Sequence, residues 1–496
     1  MLSRGTARQY LSAYALIFTG LFLTHLPLLR LPYFWDEAGY YIPAARDLLL
    51  TGSPIPHTTL SNAHPPLVMM WLAFWWKFSA FTPAVTRISM LMVAAFALLG
   101  LWRLSRDVAN QAVALATVLC TAFYPVFFAL APLAKETAII APLALFAWEL
   151  VCPLLGKSRT ESLCLAPRNV RRTFSLLLCV VPLTGWLLYH HYRTGFYLGN
   201  PEFLRYNLGA TLSPLRFVLA MLIRLWHVLG YLNLFLLTLA AAAVMLRPPL
   251  PQADGSLRPR IAVSVQLVFA AVILGYMMML SVAGGALLAR YLLPVIPLVI
   301  LISVSTLHRR ARRWTWWIAF TCAAFVAQLF IPPPYRIAPE DTLLYRDYVI
   351  LHKLAANELG RRYPQSRVLT AWPASDELTR SFLGYVRQPQ TVVRIENFSP
   401  LEMVRASQAS DQFDVALMFT TKWQPPHPLF RVLPFGQELQ QRFFDYHEDV
   451  SPQAAANLLG GRIVSYLSRN NEWVAIIAIE KVQNAAAHDV PCAGCR

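Results

Sequence analysis

Nine stretches of about 20 mostly apolar residues limit what this chain can become. They fall at roughly 11–31, 84–102, 109–130, 135–152, 173–191, 228–246, 261–283, 287–307 and 314–331. About 20 apolar residues in a helix match a hydrocarbon core roughly 30 Å thick. At that depth the backbone must satisfy its own N–H and C=O groups, which selects helices. Composition agrees: 56% of the residues are hydrophobic and 14% are charged, against about 25% charged in a soluble chain. The first run leads into Asp36 without a small-residue cleavage site, so it reads as a span and not as a cleaved signal.

The net charge of +17 is distributed in clusters. Arg4 and Arg8 precede the first span. Arg103 and Arg106, then Lys157, Arg159, Arg168, Arg171 and Arg172, then Arg247, Arg258 and Arg260, and last His308 to Arg313 fill alternate loops. With nine spans all of these fall on one side, as cytoplasmic loops require. The N-terminus is then cytoplasmic and the C-terminus lies on the outer, periplasmic side of an inner membrane. No interleaved basic and aromatic stretch marks a nucleic-acid surface.

"HPPLVMMWLAFWWKFSAF", His64 to Phe81, is left over. Counted as a span it would move Arg103 and Arg106 outside, so it reads as a juxtamembrane helix in the first outer loop, 32–83. Trp71, Trp75 and Trp76 suit an interface there. Pro214 to His227, with Arg216 and Arg224, is a second segment of this kind. From "IPPPYR" at Ile331 the composition changes. Residues 332–482 read as a soluble α/β domain and 483–496 as a tail. Ser399-Pro400 and Ser451-Pro452 open helices, the second stopping at Gly460-Gly461. Val415 to Thr420 and Trp473 to Ile479 read as strands, with Asn470-Asn471 a turn. Cys120, Cys179 and Cys322 lie in spans, and Cys152 and Cys164 at or near a span end, as packing residues. Cys492 and Cys495 form an isolated C-x-x-C, which is weak evidence for metal or redox work. The fold class is thus an α-helical multi-pass membrane protein with a C-terminal soluble α/β domain.

This topology brings separated polar residues to the outer ends of the spans. Asp36 and Glu37 of "PYFWDEAGYY" end the first, Lys135 and Glu136 precede the fourth, and Arg290 lies at the outer end of the eighth. His64 lies in the same outer loop. A charge at bilayer depth costs several kcal/mol, so such residues face a partner or a wet cavity. A carboxylate there suits a general base. Arg290 and Lys135 suit a phosphate, the first as a bidentate fork and the second as a point charge. Each also has an ordinary reading: solvated interface carboxylates, a Lys135–Glu136 ion pair, a snorkelling Arg290, a helix start at His64. Arg87, at the start of the second span, reads as a snorkelling anchor.

"FWDEAGYY", then "HPPLVMMWLAFWWKF", then "TRISMLMVAAFALLGLWRLSRD" resemble the N-terminal half of GT-C glycosyltransferases of glycosyltransferase family 39, and "ARYLLPVIPL" adds to the likeness. That family includes protein O-mannosyltransferases and the aminoarabinose transferase of lipid A. The resemblance covers roughly residues 10–330. It implies a GT-C fold, a polyprenyl-phosphate sugar donor and a site open to the outer face. It implies that Asp36 is the catalytic base, with Glu37 its acidic neighbour. His64 matches the H-P-P element bordering the site, Glu136 stands where relatives place a second acidic residue, and Arg290 with Tyr291 is assigned to the donor phosphate. Some members use a divalent metal; Asp36 and Glu136 are the carboxylates that would share Mg²⁺, Mn²⁺ or Zn²⁺. The C-terminal domain lacks the β-trefoil insert of the eukaryotic enzymes, which favours a bacterial envelope enzyme with a glycolipid, glycan or protein acceptor. Two other classes stand beside this one: a flippase or transporter of lipid-linked glycans, without the inverted repeats common in transporters, and a non-catalytic envelope scaffold.

Overall fold

The structure, a computed structural model, describes residues 4–132, 180–199, 213–283, 287–423, 434–444 and 446–480, with isolated positions at 145, 178, 201 and 425. It divides into two compact units, Met1–Arg346 with Lys422–Tyr446, and Asp347–Thr421 with His447–Arg496.

The first unit is helical: α1 (Arg4–His25), α2 (Ile42–Thr51), α3 (Leu67–Phe78), α4 (Pro83–Val108), α5 (Gln111–Phe123), α6 (Pro125–Leu130), α7 (Val180–Thr194), α8 (Pro214–Leu229), α9 (Leu234–Val244), α10 (Val263–Ala283), α11 (Ile296–Arg310) and α12 (Trp314–Phe330). Among the described residues four stretches are long and apolar enough to cross a membrane: Ala7–Leu28, Pro83–Val108, Pro214–Val244 and Val263–Val282. The protein is a multi-pass membrane protein. Its helices start where the sequence supplies caps. The Thr82 hydroxyl accepts from the Val85 amide with Pro83 at the first position of α4, and the Asn110 side chain accepts from Val113 at α5.

Several expected spans differ in detail. The stretch 109–130 is split at Tyr124, which the following Pro125 pushes out of helical ψ. The stretch 228–246 is not one helix. Between α8 and α9 the backbone of Leu232 and Asn233 is left-handed, and Tyr335 and Ala324 bond to it through the Leu232 amide and the Asn233 side chain. The stretch 287–307 turns helical only at Ile296, after a 3₁₀ turn at Ala289–Leu292. The fourth span, 135–152, lies outside the described residues.

The leftover segment is α3, whose 12 residues reach about 18 Å, too short to cross. Its tryptophans act differently from interface anchors. Trp76 is buried and donates to the Thr86 hydroxyl at 3.0 Å, and Trp71 donates to the Ser89 carbonyl at 3.1 Å, riveting α3 to α4. Helix α8 is amphipathic, with Leu215, Val218, Leu222 and Leu225 exposed and its arginines inward. Arg216 and Arg224 are both buried, and Arg224 donates to the Leu280 carbonyl of α10 at 2.8 Å.

The second unit carries a five-stranded sheet in the order β2-β1-β3-β5-β4. Parallel β1 (Arg367–Ala371), β2 (Thr391–Ile395) and β3 (Val415–Phe419) are joined by antiparallel β5 (Glu472–Ile479) and β4 (Gly461–Arg469). The Ser399 and Ser451 hydroxyls cap the helices Pro400–Gln408 and Pro452–Leu459, and Gly460 ends the second at φ 64°. Asn470 and Asn471 both take positive φ between β4 and β5, as a two-residue hairpin turn needs. The expected boundary at 332 moves, because the chain just after it belongs to the helical unit. Ile337 and Leu344 are buried in that unit's core together with Trp423.

Glu472 of β5 is fully buried, and neither carboxylate oxygen meets a hydrogen-bond partner among the described residues. Burial, with a smaller push from Asp347, raises its carboxyl from 4.5 to about 9. Between those values the unfolded chain is ionised at this position and the folded chain is not, so stability falls as pH rises. The slope is about 1.4 kcal/mol per pH unit, vanishing below and above that window. Thermal unfolding of the detergent-solubilised protein should show this fall, and Glu472→Gln should flatten it; parallel curves for the two proteins would rule it out.

Candidate active site

The first outer segment is shaped by its own side chains. Trp35 takes a left-handed φ of 51°, and Glu37–Tyr41 then form a turn of π-helix that runs into α2. Asp47 of α2 is buried and its carboxylate accepts from the His57 and Thr58 amides, both at 2.7 Å, folding the following loop back on the helix. The loop ends at Ala63, again left-handed at φ 56°. From α7, Trp186 donates to the Ala63 carbonyl at 2.9 Å, and the His190 ring lies 2.8 Å from the Ser61 hydroxyl. Asp36 and His64 each therefore follow a non-glycine residue in a region L-residues avoid. Such a conformation costs on the order of 1–3 kcal/mol and persists only where its surroundings impose it.

Within this frame the motifs converge. The His64 ring lies against Tyr41, centroids 5.6 Å apart, and edge-on to Tyr40 at 5.3 Å, joining the H-P-P element to the D-E-A-G-Y-Y element. Arg290, in the turn before α11, donates from Nη2 to Asp36 Oδ2 at 3.0 Å. Its Nη1 pairs with Glu340 Oε1. The Arg290 side chain is 6% exposed and that of Glu340 3%, whereas Asp36 keeps 34% of its surface open. The guanidinium also lies over the Tyr291 ring at 5.6 Å. Glu340 belongs to a short 3₁₀ turn, Pro339–Asp341, in which the Asp341 carboxylate accepts from the Tyr231 hydroxyl at 2.6 Å.

Glu37 faces the opposite way from Asp36. Its Oε2 is 3.1 Å from Arg87 Nη2 and accepts from the Phe34 amide at 3.2 Å. Arg87 also donates to the Pro32 carbonyl at 3.1 Å and is completely buried, so it does not snorkel. The pair ties the end of the first span to α4. Lys135 and Glu136 lie outside the described residues.

Sequence reasoning missed Glu340, which sits in no motif and in a stretch assigned to the soluble domain. It placed Arg224 in a juxtamembrane segment and gave it no role. Arg224 lies within electrostatic reach of Tyr291, and its Nε and Nη1 meet no hydrogen-bond partner among the described residues. The only prior signal was the cost of an arginine in an apolar helix. Asp36 faces a guanidinium, and no three His, Cys, Asp or Glu side chains converge among the described residues; Glu136, the second carboxylate named for a divalent cation, lies outside them. Chemically, the arrangement offers a partly open carboxylate beside a forked cation, with a second buried arginine nearby.

No family model matches this chain, and no curated protein matches it. Two solved structures resemble it. The crystal structure of ArnT from Cupriavidus metallidurans bound to undecaprenyl phosphate aligns over 96% of this chain and 98% of its own, at 12% identity and a TM-score of 0.48. The apo structure of ArnT from the same organism aligns over 94% and 98%, at 14% identity and a TM-score of 0.46.

Removing one partner of a buried ion pair leaves the other uncompensated, at a cost of about 3–5 kcal/mol. Glu37→Gln and Arg87→Met should each lower the unfolding temperature of the solubilised protein by many degrees. The double variant should lose less than the two single losses added together. Strict additivity would mean that the two side chains do not act as a pair.

Proposed function

We propose that the protein is an integral-membrane, inverting glycosyltransferase of the GT-C type. It moves a sugar from a polyprenyl-phosphate donor to an envelope acceptor, a glycolipid, glycan or protein, on the outer face of the inner membrane. The N-terminus lies in the cytoplasm and the second unit in the periplasm. The observation that carries this reading is the Arg290–Asp36 pair, a proton acceptor beside an anion-binding fork, contributed by segments about 250 residues apart.

In the reaction Asp36 takes the proton of an acceptor hydroxyl or amine as its lone pair attacks the anomeric carbon. The bond from that carbon to the phosphate oxygen breaks on the opposite face, and its electron pair goes to the phosphate. Configuration at the carbon inverts and no covalent enzyme intermediate forms. Charge thus passes from Asp36, which is neutralised, to the leaving phosphate, which gains a negative charge. A fixed cation that stays on the phosphate meets the charge as it develops there, which is what accelerates a reaction. Arg290 supplies that cation, with Tyr291 beneath it. Arg224 brings further N–H groups toward the phosphate; Lys135 and Glu136, which the family resemblance adds to the donor site, lie outside the described residues. His64 and the Tyr40 and Tyr41 rings form the wall toward the acceptor. Glu37 supports the site from behind through Arg87.

Mass spectrometry of envelope glycolipids and glycoproteins tests this in cells with the gene, without it, and with Asp36→Asn. One sugar increment should disappear in the null. It should fall by about 10²–10⁴-fold in the variant, with protein level and membrane insertion unchanged. Full decoration with Asp36→Asn would end the assignment.

A further inference from the structure

Glu340 has no part in the chemistry above, yet it is among the most deeply buried carboxylates of the helical unit and spends one oxygen on Arg290. Asp36 holds Nη2 and Glu340 holds Nη1, while Nε meets no hydrogen-bond partner among the described residues. A phosphate that takes the Nε–Nη2 edge as a bidentate fork competes with Asp36 for Nη2 and leaves Nη1 to Glu340.

We infer that Glu340 is the positioning residue of the donor-phosphate site, holding Nη1 of Arg290 throughout the cycle, and that Asp36 occupies the phosphate's place on Nη2 until donor displaces it. This deepens the glycosyltransferase reading and rests on it. Glu340 is fixed on both sides, by Pro339 before it and by the Tyr231–Asp341 bond after it, and its side chain is 3% exposed. Asp36 stands at the start of the Glu37–Tyr41 turn and is 34% exposed, so water can receive it. Glu340 keeps the planar guanidinium aimed while its other edge changes partner. Asp36, once released, is free to accept the acceptor's proton. The base is thus withheld until donor is bound, which limits turnover of acceptor without donor.

Charge and aim make opposite demands on position 340, and this separates the inference from a role in folding alone. Glu340→Gln keeps an acceptor oxygen for Nη1 but removes the competing charge. Glu340→Leu removes both. The probe is farnesyl phosphate, a short isoprenyl monophosphate, titrated calorimetrically into the full chain in lipid nanodiscs at about pH 8, where the phosphate is dianionic. Glu340→Gln should bind about tenfold more tightly than wild type and Glu340→Leu about tenfold more weakly. Asp36→Asn should also bind more tightly, and Arg290→Gln should lose binding. Unchanged affinity in Arg290→Gln would remove the phosphate site and this inference with it. Loss there, with Glu340→Gln no tighter than wild type or with both position-340 variants shifted in the same direction, would overturn the inference and leave the donor site standing.

Discussion

The Arg290 guanidinium, like those of Arg87, Arg216 and Arg224 in the same helical unit, has almost no access to water. A guanidinium at membrane depth persists only when its charge and its planar donors are met by protein. Arg290 meets that demand with carboxylates from two distant segments, Asp36 after the first span and Glu340 after the last. The contact closes the helical unit on itself, since its partners lie at the chain's beginning and beyond its final apolar helix. The break between α8 and α9 serves the same end. Its left-handed residues bring Tyr231 to Asp341, which anchors the turn that carries Glu340.

Adjacent acidic residues take different work because their surroundings differ. Glu37 is buried against Arg87 and a backbone amide. Asp36, one residue earlier, keeps an open face. The π-helical turn and the left-handed Trp35 separate the two side chains. Removing Glu37 would disturb the scaffold, while removing Asp36 would disturb the chemistry.

Much of this was legible in advance where the physics is local. The apolar runs, the caps at Ser399 and Ser451, and the paired asparagines of the β4–β5 turn are written in short stretches of chain. So were the two motifs whose rings meet at His64. What escaped depended on partners far away in sequence. Arg87 looks like any basic residue at a span end until Glu37 is seen 3.1 Å from it. Glu340 carries no signal of its own, because a buried carboxylate and a solvated one are spelled alike. The domain boundary failed for a related reason: the breaker cluster at Ile331 marks the end of a helix, but the next residues return to the core they seem to leave.

The left-handed residues Trp35 and Ala63 bear on how this protein will respond to engineering. Each immediately precedes a motif side chain and holds a conformation that glycine adopts without penalty. At Ala63, where glycine would remove only a methyl group, a screen for heat-resistant forms would be drawn to that exchange, since it relieves local strain. The same exchange would slacken the backbone that aims His64, and at Trp35 it would also delete a ring packed on Phe34. Robustness and catalytic output are thereby set against each other at Ala63, and gains in the first are best sought elsewhere in the chain.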